Sequence, residues 1–305
     1  MHKEYENIKK NLGDLGIKYL ENEPMQKHTT LGIGGPVDLF ILPTNNDMII
    51  DIIKIIGKSD IKFYFLGSGS NILVSDNGIR GVVISLKKSS KQIIFSDNNV
   101  FVECGAMLGT FVKQLNRRSI EGYETLIGVP GTVGGALIMN AGAFGAEISN
   151  KLISVNTINI KGEKNNYKAS DIKFSYRKSS FSKNEILLNA IFKCNVGNQD
   201  SIEESKKKAS ELRKSNQPLK YRSAGSVFKN PKCLAAGYLI DKAGLKGKKV
   251  GSAQISNKHA NFILNLGGAK SSDVISLIEI IKKEVKSKFN IKLNLEIKIL
   301  GEAHE

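Results

Sequence analysis

Two glycine-containing runs hold the residue types that bind phosphate groups. The run Gly-Ser-Gly-Ser-Asn at 67–71 follows a predicted strand at 61–66, and the segment 128–145 is rich in glycine yet apolar. Because glycine carries a high entropic cost on folding, such runs indicate unusual backbone dihedrals or a close approach to another group. Successive backbone amides in small-residue loops bind anions. The sequence therefore predicts an anion nest at 67–71 and a wall of bare amides at 128–145, jointly suited to a dinucleotide.

Each run also has a purely structural interpretation. The first could be a tight turn between two strands, and the second a glycine-rich turn against which a helix packs. Neither is a standard nucleotide fingerprint, because no Gly-Lys-Ser/Thr follows 67–71 and the third glycine of G-x-G-x-x-G is missing. The presence of both runs in one chain is what favours an extended ligand.

Three further residues could take part in proton or charge chemistry. Ser226 lies in the run Ser-Ala-Gly-Ser-Val-Phe-Lys-Asn-Pro at 223–231, Arg177 lies in a polar run at 175–181, and Glu296 lies on the polar face of a predicted last strand. Taken singly, they are equally well explained as a turn hydroxyl, a surface arginine and a solvated ion-pair partner. We find no G-x-S-x-G elbow and no cluster of metal ligands, so we predict no metal.

The elements that must position these residues follow from periodicity and turn signals. Helices are predicted at 1–20 and at 46–56, the second with an asparagine at its start and a glycine at its end. Alternation of apolar and polar residues predicts a last strand over 291–299. A polar break at 197–200 marks the start of a C-terminal domain.

Composition excludes several other classes of protein. The 305 residues are 41% hydrophobic and 24% charged, as in an ordinary globular protein. The formal net charge of +16 could indicate nucleic-acid binding, but the lysines are dispersed and no aromatic platform accompanies them. No apolar run is long enough to span a bilayer and no signal core opens the chain. We therefore expect a cytoplasmic protein that binds neither nucleic acid nor membrane, with Cys104, Cys194 and Cys233 as reduced, mostly buried thiols.

Eight motifs occur in order along the chain, at 28–30, 33–36, 66–71, 128–136, 140–145, 176–177, 225–231 and 258–262. Together they resemble the UDP-N-acetylenolpyruvoylglucosamine reductase family, flavoenzymes that make UDP-N-acetylmuramate for peptidoglycan. The similarity runs through nearly the whole chain. The length of the chain matches the shorter subtype of the family. The motif at 225–231 points to the reductase, whereas 128–136 is shared in part with other flavoproteins of the vanillyl-alcohol-oxidase type.

The resemblance implies an α+β fold with an FAD-binding domain of the vanillyl-alcohol-oxidase type, in two lobes at 1–88 and 89–199. A C-terminal α+β substrate-binding domain would occupy 200–305. FAD would bind non-covalently, NADPH would be the hydride donor, and UDP-N-acetylenolpyruvoylglucosamine would be the substrate, while the oligomeric state stays open. The residues implied to contact FAD are Gly67, Ser68, Gly69, Ser70, Asn71, Gly128, Pro130, Gly131, Thr132, Gly134, Gly135, Ala136, Asn140, Gly142, Ala143 and Phe144.

By the same resemblance, NADPH reduces the flavin and leaves, the sugar nucleotide enters the same cleft, and hydride passes from flavin N5 to C3 of the enolpyruvyl group. Arg177 and Glu296 would stabilise the charge that builds on C2 and its carboxylate, for which Glu296 would have to be protonated. Ser226 would deliver the proton to C2 with help from its neighbours, because a serine is a poor acid. The implied substrate contacts come from Lys229, Asn230 and His259.

Two positions depart from the family's pattern. Leu295 stands where a proline usually precedes the glutamate, and Asn216 stands where a basic residue is expected, a place that Lys214 could fill. Two other functions stay open at this point. One is an oxidase on the same scaffold, whose own substrate would reduce the flavin. The other is a basic binding protein without a cofactor, which would be colourless and show steep salt dependence on nucleic acid.

Overall fold

The computed structural model describes residues 2–87, 89–232 and 234–301. The α-helices in these ranges are α1 His2–Asp14, α2 Asn46–Ile56, α3 Leu108–Asn116, α4 Val133–Ile138, α5 Gln199–Asn216, α6 Ala236–Lys242 and α7 Ser271–Phe289. The strands are β1 Lys18–Pro24, β2 Pro36–Leu42, β3 Phe63–Leu66, β4 Ile72–Val74, β5 Ile79–Ser85, β6 Ile93–Ser96, β7 Asn99–Glu103, β8 Gly142–Ala143, β9 Ala146–Glu147, β10 Leu152–Asn159, β11 Lys164–Lys168, β12 Glu185–Lys193, β13 Arg222–Ser226, β14 Lys249–Val250, β15 Ala253–Ile255, β16 Phe262–Asn265 and β17 Lys298–Leu300.

The chain forms two compact units. The first unit comprises Met1–Glu21, Leu39–Ser68 and Gly81–Leu212, and the second comprises Asn22–Asp38, Gly69–Arg80 and Arg213–Glu305. The chain therefore passes from one unit to the other more than once, and the run at 67–71 contains one of these crossings.

The first unit holds most of a four-stranded sheet, β1-β2-β5-β3, and all of a five-stranded sheet, β11-β10-β12-β7-β6. The strand pair β3–β5 is parallel, whereas the second sheet is antiparallel where β10 meets its two neighbours. Two helices cover these sheets with apolar faces. Helix α2 buries Ile49, Ile52, Ile53 and Ile56, and α3 buries Phe111 and Leu115 among other residues.

The second unit contains the antiparallel sheet β13-β16-β15-β14 and the parallel pair β17–β4. Helices α6 and α7 pack on it through one apolar cluster that includes Leu239, Leu277 and Phe228. Each unit thus has its own core, as an independently organised α+β unit requires. The described residues contain no helix that is both long and apolar enough to cross a bilayer.

The first helical prediction is partly wrong and the second is confirmed. Helix α1 ends at Asp14, and the chain turns through Gly16, whose φ is +64°, into strand β1. A glycine in the left-handed region is a common end of a helix, and the periodicity alone did not show it. Helix α2 starts at Asn46, where the Asn45 side chain accepts from the Met48 N–H, and it ends at Gly57.

The predicted strand over 291–299 is also partly wrong. The Leu295 main chain forms only an isolated bridge with Phe228, and the regular strand β17 begins at Lys298. The reason is a change of partner, because the Glu296 N–H donates to Val227 O at 2.8 Å and the Lys298 N–H donates to Asn71 O at 3.0 Å. A continuous ladder is therefore interrupted at Glu296, and Ile299 is 43% exposed despite the apolar alternation.

Two of the three cysteines are described, and both are buried thiols without a disulfide, as predicted. Burial raises the pKa of the Cys104 thiol far above its usual range, so this group is inert rather than reactive. Cys233 lies outside the described residues.

Candidate active site

The two glycine runs meet inside the first unit. A Cβ added to Gly67 would lie 2.6 Å from Thr132 Oγ1, so a larger residue would force the Thr132 side chain to shift. Thr132 is the N-cap of helix α4, and its Oγ1 accepts from the Gly135 N–H at 3.2 Å. The structure therefore places the first residues of one run against the helix start of the other, as a joint binding surface requires.

The amides at the start of helix α4 are not bare. The Val133 N–H donates to Ala106 O and the Gly134 N–H donates to Cys104 O, each at 2.9 Å. A Cβ at Gly134 would lie 3.0 Å from the Cys104 Cβ, which is tight packing of the helix against the strand side. The prediction of an amide wall is thus wrong for these positions. The parts of this run that face outward are Gly128, Pro130 and Gly135.

Asn140 is a buried amide with an unused acceptor. Its Nδ2 donates to Glu147 Oε2 at 2.6 Å and to Ser175 O at 3.2 Å. The residue is 0% exposed and holds a φ of +42°, yet its Oδ1 has no hydrogen-bond partner in the structure. Buried acceptors are almost always paired, so this oxygen is an exception that a donor on a bound molecule would satisfy.

Arg177 is presented by a tight turn. Ser175 and Lys178 exchange two main-chain hydrogen bonds, of 2.9 and 3.0 Å, and Arg177 takes a φ of +54°. Its Nη2 donates to Gly142 O at 2.9 Å. Backbone strain of this kind persists where the surroundings over-determine the geometry, often at functional sites. The predicted catalytic arginine and the predicted flavin segment at 140–144 are therefore in direct contact.

The segment after Asn140 forms a short hairpin with an aromatic tip. Strands β8 and β9 pair, and the turn between them contains Phe144 with a φ of +50° and Gly145 with a φ of +90°. Thr125 Oγ1 supports the hairpin by donating to Ala143 O at 2.9 Å. The Phe144 side chain is 50% exposed, so a large apolar ring stands at the surface beside Gly142 and Ala143.

These features of the first unit fit a bound flavin dinucleotide. An outward glycine surface lets a ligand approach the backbone closely, the orphaned Asn140 Oδ1 can accept from a ligand N–H, and Phe144 offers an exposed apolar ring. The runs 67–71 and 128–136 also contain Gly131, Ala136 and the half-buried Ser68. The sequence-predicted FAD contacts of this unit therefore lie in a few neighbouring loops rather than scattered over the surface.

In the second unit, Ser226 follows a β-bulge. Strand β13 pairs with β16 through Ser223↔Leu264 and Ser226↔Phe262, with a register shift between these two pairs. Gly225, with a φ of +75°, supplies the left-handed residue of the irregularity. Bulges re-aim a side chain relative to the regular pleat and are frequent beside active sites. The half-buried Ser226 hydroxyl is thus placed by a fixed irregularity at the end of the ladder.

The main chain of Glu296 is hydrogen-bonded to Val227, the residue that follows Ser226. Its N–H donates to Val227 O at 2.8 Å, and its carbonyl oxygen accepts from Asn71 Nδ2 at 3.1 Å. The residue is half-buried, unlike Lys292 and Lys298 on the same stretch, which are exposed. Glu296 is therefore not one of a row of solvated charges, and the structure brings it together with Ser226.

In the second unit, the backbone of the run 67–71 is fixed by contacts at Gly69. Gly69 has a φ of +67°, and a Cβ there would overlap the His28 carbonyl oxygen. The Thr30 N–H donates to Gly69 O at 3.0 Å. Beyond the half-buried Ser70, Asn71 holds Glu296 as described above, so this residue has a structural contact that sequence reasoning did not foresee.

The three predicted substrate-binding residues have local roles in the second unit. The Lys229 N–H donates to Asn294 O at 2.9 Å, and Asn230 Oδ1 accepts from the Ala236 N–H at the start of helix α6 at 2.9 Å. His259 Nδ1 accepts from the Asn261 N–H at 3.3 Å. Burial lowers the pKa of His259, so at neutral pH the ring is a neutral dipole and not a cation.

A separate groove of about 1250 Å³ also lies within the second unit. Its lining includes the cationic residues Lys27, Lys220, Arg222 and Lys270. Ser226, Glu296 and the three predicted substrate-binding residues are not among those that line it.

The residues that sequence reasoning missed are asparagine and carboxylate partners rather than reacting groups. Glu147 holds Asn140, and Asn261 binds the main chain beyond Ser226. Asn261 lies in the motif at 258–262, so its position was marked, but a contact with a residue 33 positions away leaves no signal in local spacing.

The fold and the site define an FAD-binding flavoprotein joined to a second α+β unit. Residues 37–164 match the family model described as an FAD binding domain. Residues 217–300 match the model for the C-terminal domain of UDP-N-acetylenolpyruvoylglucosamine reductase.

Similar proteins cover nearly the whole chain. The UDP-N-acetylenolpyruvoylglucosamine reductase of Clostridium tetani is 39% identical over 97% of this chain and 96% of its own length. That of Carboxydothermus hydrogenoformans is 43% identical over 93% of this chain and 94% of its own length. The crystal structure of the enzyme from Thermus caldophilus has a TM-score of 0.77 at 31% identity and covers 93% of this chain and 98% of that one.

The chain belongs to the UDP-N-acetylenolpyruvoylglucosamine reductase family. It is an FAD-dependent oxidoreductase of peptidoglycan precursor synthesis, with NADPH as the reductant. The α+β fold with an FAD-binding domain and a C-terminal domain, predicted from the resemblance, is confirmed.

Proposed function

We propose that this chain reduces UDP-N-acetylenolpyruvoylglucosamine to UDP-N-acetylmuramate, with Arg177, Ser226 and Glu296 acting on the enolpyruvyl group. The observation that carries the proposal is the coupling of Ser226 and Glu296. The first residue stands at a bulge that ends strand β13, and the second is bonded through its N–H to the next residue, Val227. A hydroxyl and a carboxyl held this way suit a reaction in which charge develops on one atom and a proton arrives at its neighbour.

Bound FAD supplies the hydride chemistry, by taking a hydride from NADPH and passing it to the substrate. We assign its binding to the runs 67–71 and 128–136 and to the segment 140–144. Support comes from the Gly67–Thr132 contact and from the unpaired Asn140 Oδ1. The division into lobes 1–88, 89–199 and 200–305 stays a prediction. So does a cytoplasmic location.

Ser226 is assigned to the proton that reaches C2. A serine hydroxyl is a weak acid, and it is effective only when a positioned neighbour or water replaces the proton as it leaves. Lys229, three residues further on, is the nearest cation in sequence. Glu296 is assigned to the developing carboxylate charge. To stabilise an anion it has to carry a proton.

Arg177 is assigned to the substrate carboxylate. A guanidinium offers a planar fork of donors that matches the two oxygens of a carboxylate. The tight turn and the bond from Nη2 to Gly142 O at 2.9 Å fix the guanidinium beside the segment at 140–144, to which we assign flavin binding. Lys229, Asn230 and His259 are proposed to contact the sugar nucleotide.

Anaerobic stopped-flow absorbance tests both the reaction and the role of Arg177. In the parent protein, NADPH is expected to bleach the flavin, and the enolpyruvyl sugar is expected to restore its colour. Arg177→Lys is expected to bleach at the parent rate but to regain colour about 100-fold more slowly, since a point charge replaces a set of oriented donors. Arg118→Lys is the matched control, because Arg118 lies over the Phe95 ring elsewhere in the first unit.

Three results would contradict these assignments. Bleaching by the sugar without NADPH would indicate an oxidase on the same scaffold. A protein that binds no flavin would contradict the whole proposal. Parent rates in both steps for Arg177→Lys, or an equal defect in Arg118→Lys, would remove Arg177 from the reaction.

A further inference from the structure

We propose that Asn261 is a positioning residue for the protonation step, acting by holding the main chain that joins Ser226 to Glu296. The inference rests on the proposed roles of these two residues. Asn261 itself is 3% exposed, and its main contacts are with the Val227–Phe228 main chain.

The contacts of Asn261 begin where the strand ladder stops. Strands β13 and β16 pair up to Ser226↔Phe262. At the next residues, the Val227 N–H donates to Asn261 O at 2.9 Å. The Phe228 N–H then donates to Asn261 Oδ1 at 2.9 Å, and Asn261 Nδ2 donates to Phe228 O at 2.8 Å. The carboxamide thus replaces the two hydrogen bonds that a further pair of strand residues would make.

The same short segment carries the link to Glu296. Val227 uses its N–H for Asn261 and its carbonyl oxygen for the Glu296 N–H, at 2.8 Å. The Lys229 N–H bonds to Asn294 O at 2.9 Å. Val227 and Phe228 therefore lie between Asn261 on one side and the Glu296 stretch on the other, so a displacement of this segment would change the spacing of Ser226 and Glu296.

An asparagine is the residue type that this position requires. The Phe228 main chain presents one donor and one acceptor, and a carboxamide satisfies both. Removing the side chain leaves a buried N–H and a buried carbonyl without partners, which costs free energy and promotes rearrangement. A misplacement of about 1 Å at a reacting centre can slow a reaction about 100-fold.

The test compares the two half-reactions and the melting temperature in three variants. Asn261→Ala is expected to bleach with NADPH within about 2-fold of the parent, while the return of colour with the enolpyruvyl sugar is about 10- to 100-fold slower. Asn265→Ala is the matched control. Asn265 is the last residue of strand β16, which begins directly after Asn261. It is 7% exposed and binds Leu31 O and the Gly267 and Ala269 N–H groups instead. It is expected to lower the melting temperature without selectively slowing the second step.

Asn261→Asp supplies a pH readout that a merely structural role would not give. A protonated carboxyl has the same donor and acceptor as the carboxamide, whereas a carboxylate has acceptors only. Burial raises the pKa of such a carboxyl, so the second step is expected to approach the parent rate at acid pH and to fall as the pH rises. His259, which accepts from the Asn261 N–H, and Glu296 are present in both proteins, so the ratio of variant to parent at each pH isolates the new group.

Four results would overturn the positioning role. They are parent rates for Asn261→Ala in both steps, equal slowing of both steps, a control variant with the same selective defect, and a pH-independent ratio for Asn261→Asp. A different result would contradict the proposed function, namely a second step at the parent rate in Ser226→Ala. If Ser226→Ala is impaired while the Asn261 variants are not, only the positioning role is removed.

Discussion

Ser226→Ala is expected to leave bleaching of the flavin by NADPH at the parent rate and to slow the return of colour with the enolpyruvyl sugar by about 100- to 10,000-fold. That range is the usual contribution of a positioned general acid. The reason is local to the second unit. The bulge at Gly225 and the hydrogen bond from Glu296 to Val227 fix the backbone on both sides of the hydroxyl, so alanine removes the proton source without moving the segment.

Ser223→Ala is the matched control for this variant. Ser223 lies on the same strand and is also half-buried, and it receives the Thr30 hydroxyl through its main-chain oxygen, which alanine retains. Both half-reactions are expected near the parent rates. Stopped-flow measurement with each substrate alone separates the two steps. An unimpaired second step in Ser226→Ala would mean that another group protonates C2.

Gly69→Ala is expected to destabilise the protein by about 3 kcal/mol or more and to reduce its retention of FAD. Two costs combine at this position. A non-glycine residue at a φ of +67° carries about 1–2 kcal/mol of backbone strain. The new Cβ would also overlap the His28 carbonyl oxygen, which is backbone and cannot rotate away. Urea unfolding followed by circular dichroism, together with the flavin absorbance of the purified protein, measures both effects.

Gly244→Ala separates the strain from the overlap. Gly244 has a φ of +78°, and a Cβ there would meet nothing within 4 Å. Its cost is expected to be about 1–2 kcal/mol, with full retention of FAD. If both alanine variants lose the same stability, the packing of Gly69 on the His28 carbonyl is not what makes this glycine necessary.

The elements fixed by local chemistry could be predicted from the sequence. Helix α2 has its cap at Asn45, its end at Gly57 and isoleucines along one face, and all three signals lie within one short segment. The burial of Cys104 and Cys194 follows in the same way from isolated thiols in apolar surroundings.

The errors arose where a distant partner decides the structure. The alternation over 291–299 is typical of a strand, but Glu296 bonds to Val227 and Lys298 bonds to Asn71, so the ladder changes partner in the middle. Val133 and Gly134 looked like free amides because their acceptors, Ala106 O and Cys104 O, are far away in sequence. Periodicity and residue type indicate neither the change of strand partner nor the distant acceptors of these amides.

The candidate site shows the same division. Ser226, Arg177 and Glu296 had no local signal, and their roles came from a resemblance that covers ordered motifs along the chain. What the structure adds is the reason that these positions are held in place. Arg177 is held by Gly142 O, and Glu296 is held by Val227 and Asn71. These contacts join residues that are up to 225 positions apart in the sequence.

Turnover in D₂O tests the central claim most directly. With unlabelled NADPH, the protein is expected to convert the enolpyruvyl sugar to UDP-N-acetylmuramate that carries one deuterium at C2, because an exchangeable hydroxyl supplies that proton. Deuterium is also expected at C3 to the extent that the N–H of reduced flavin N5 exchanges with D₂O before hydride transfer, so the label at C2 is the one that tests the proton donor. Mass spectrometry and NMR of the product read both positions. A product without deuterium at C2 after the reaction in D₂O, or no conversion by the flavin-loaded protein, would contradict the account.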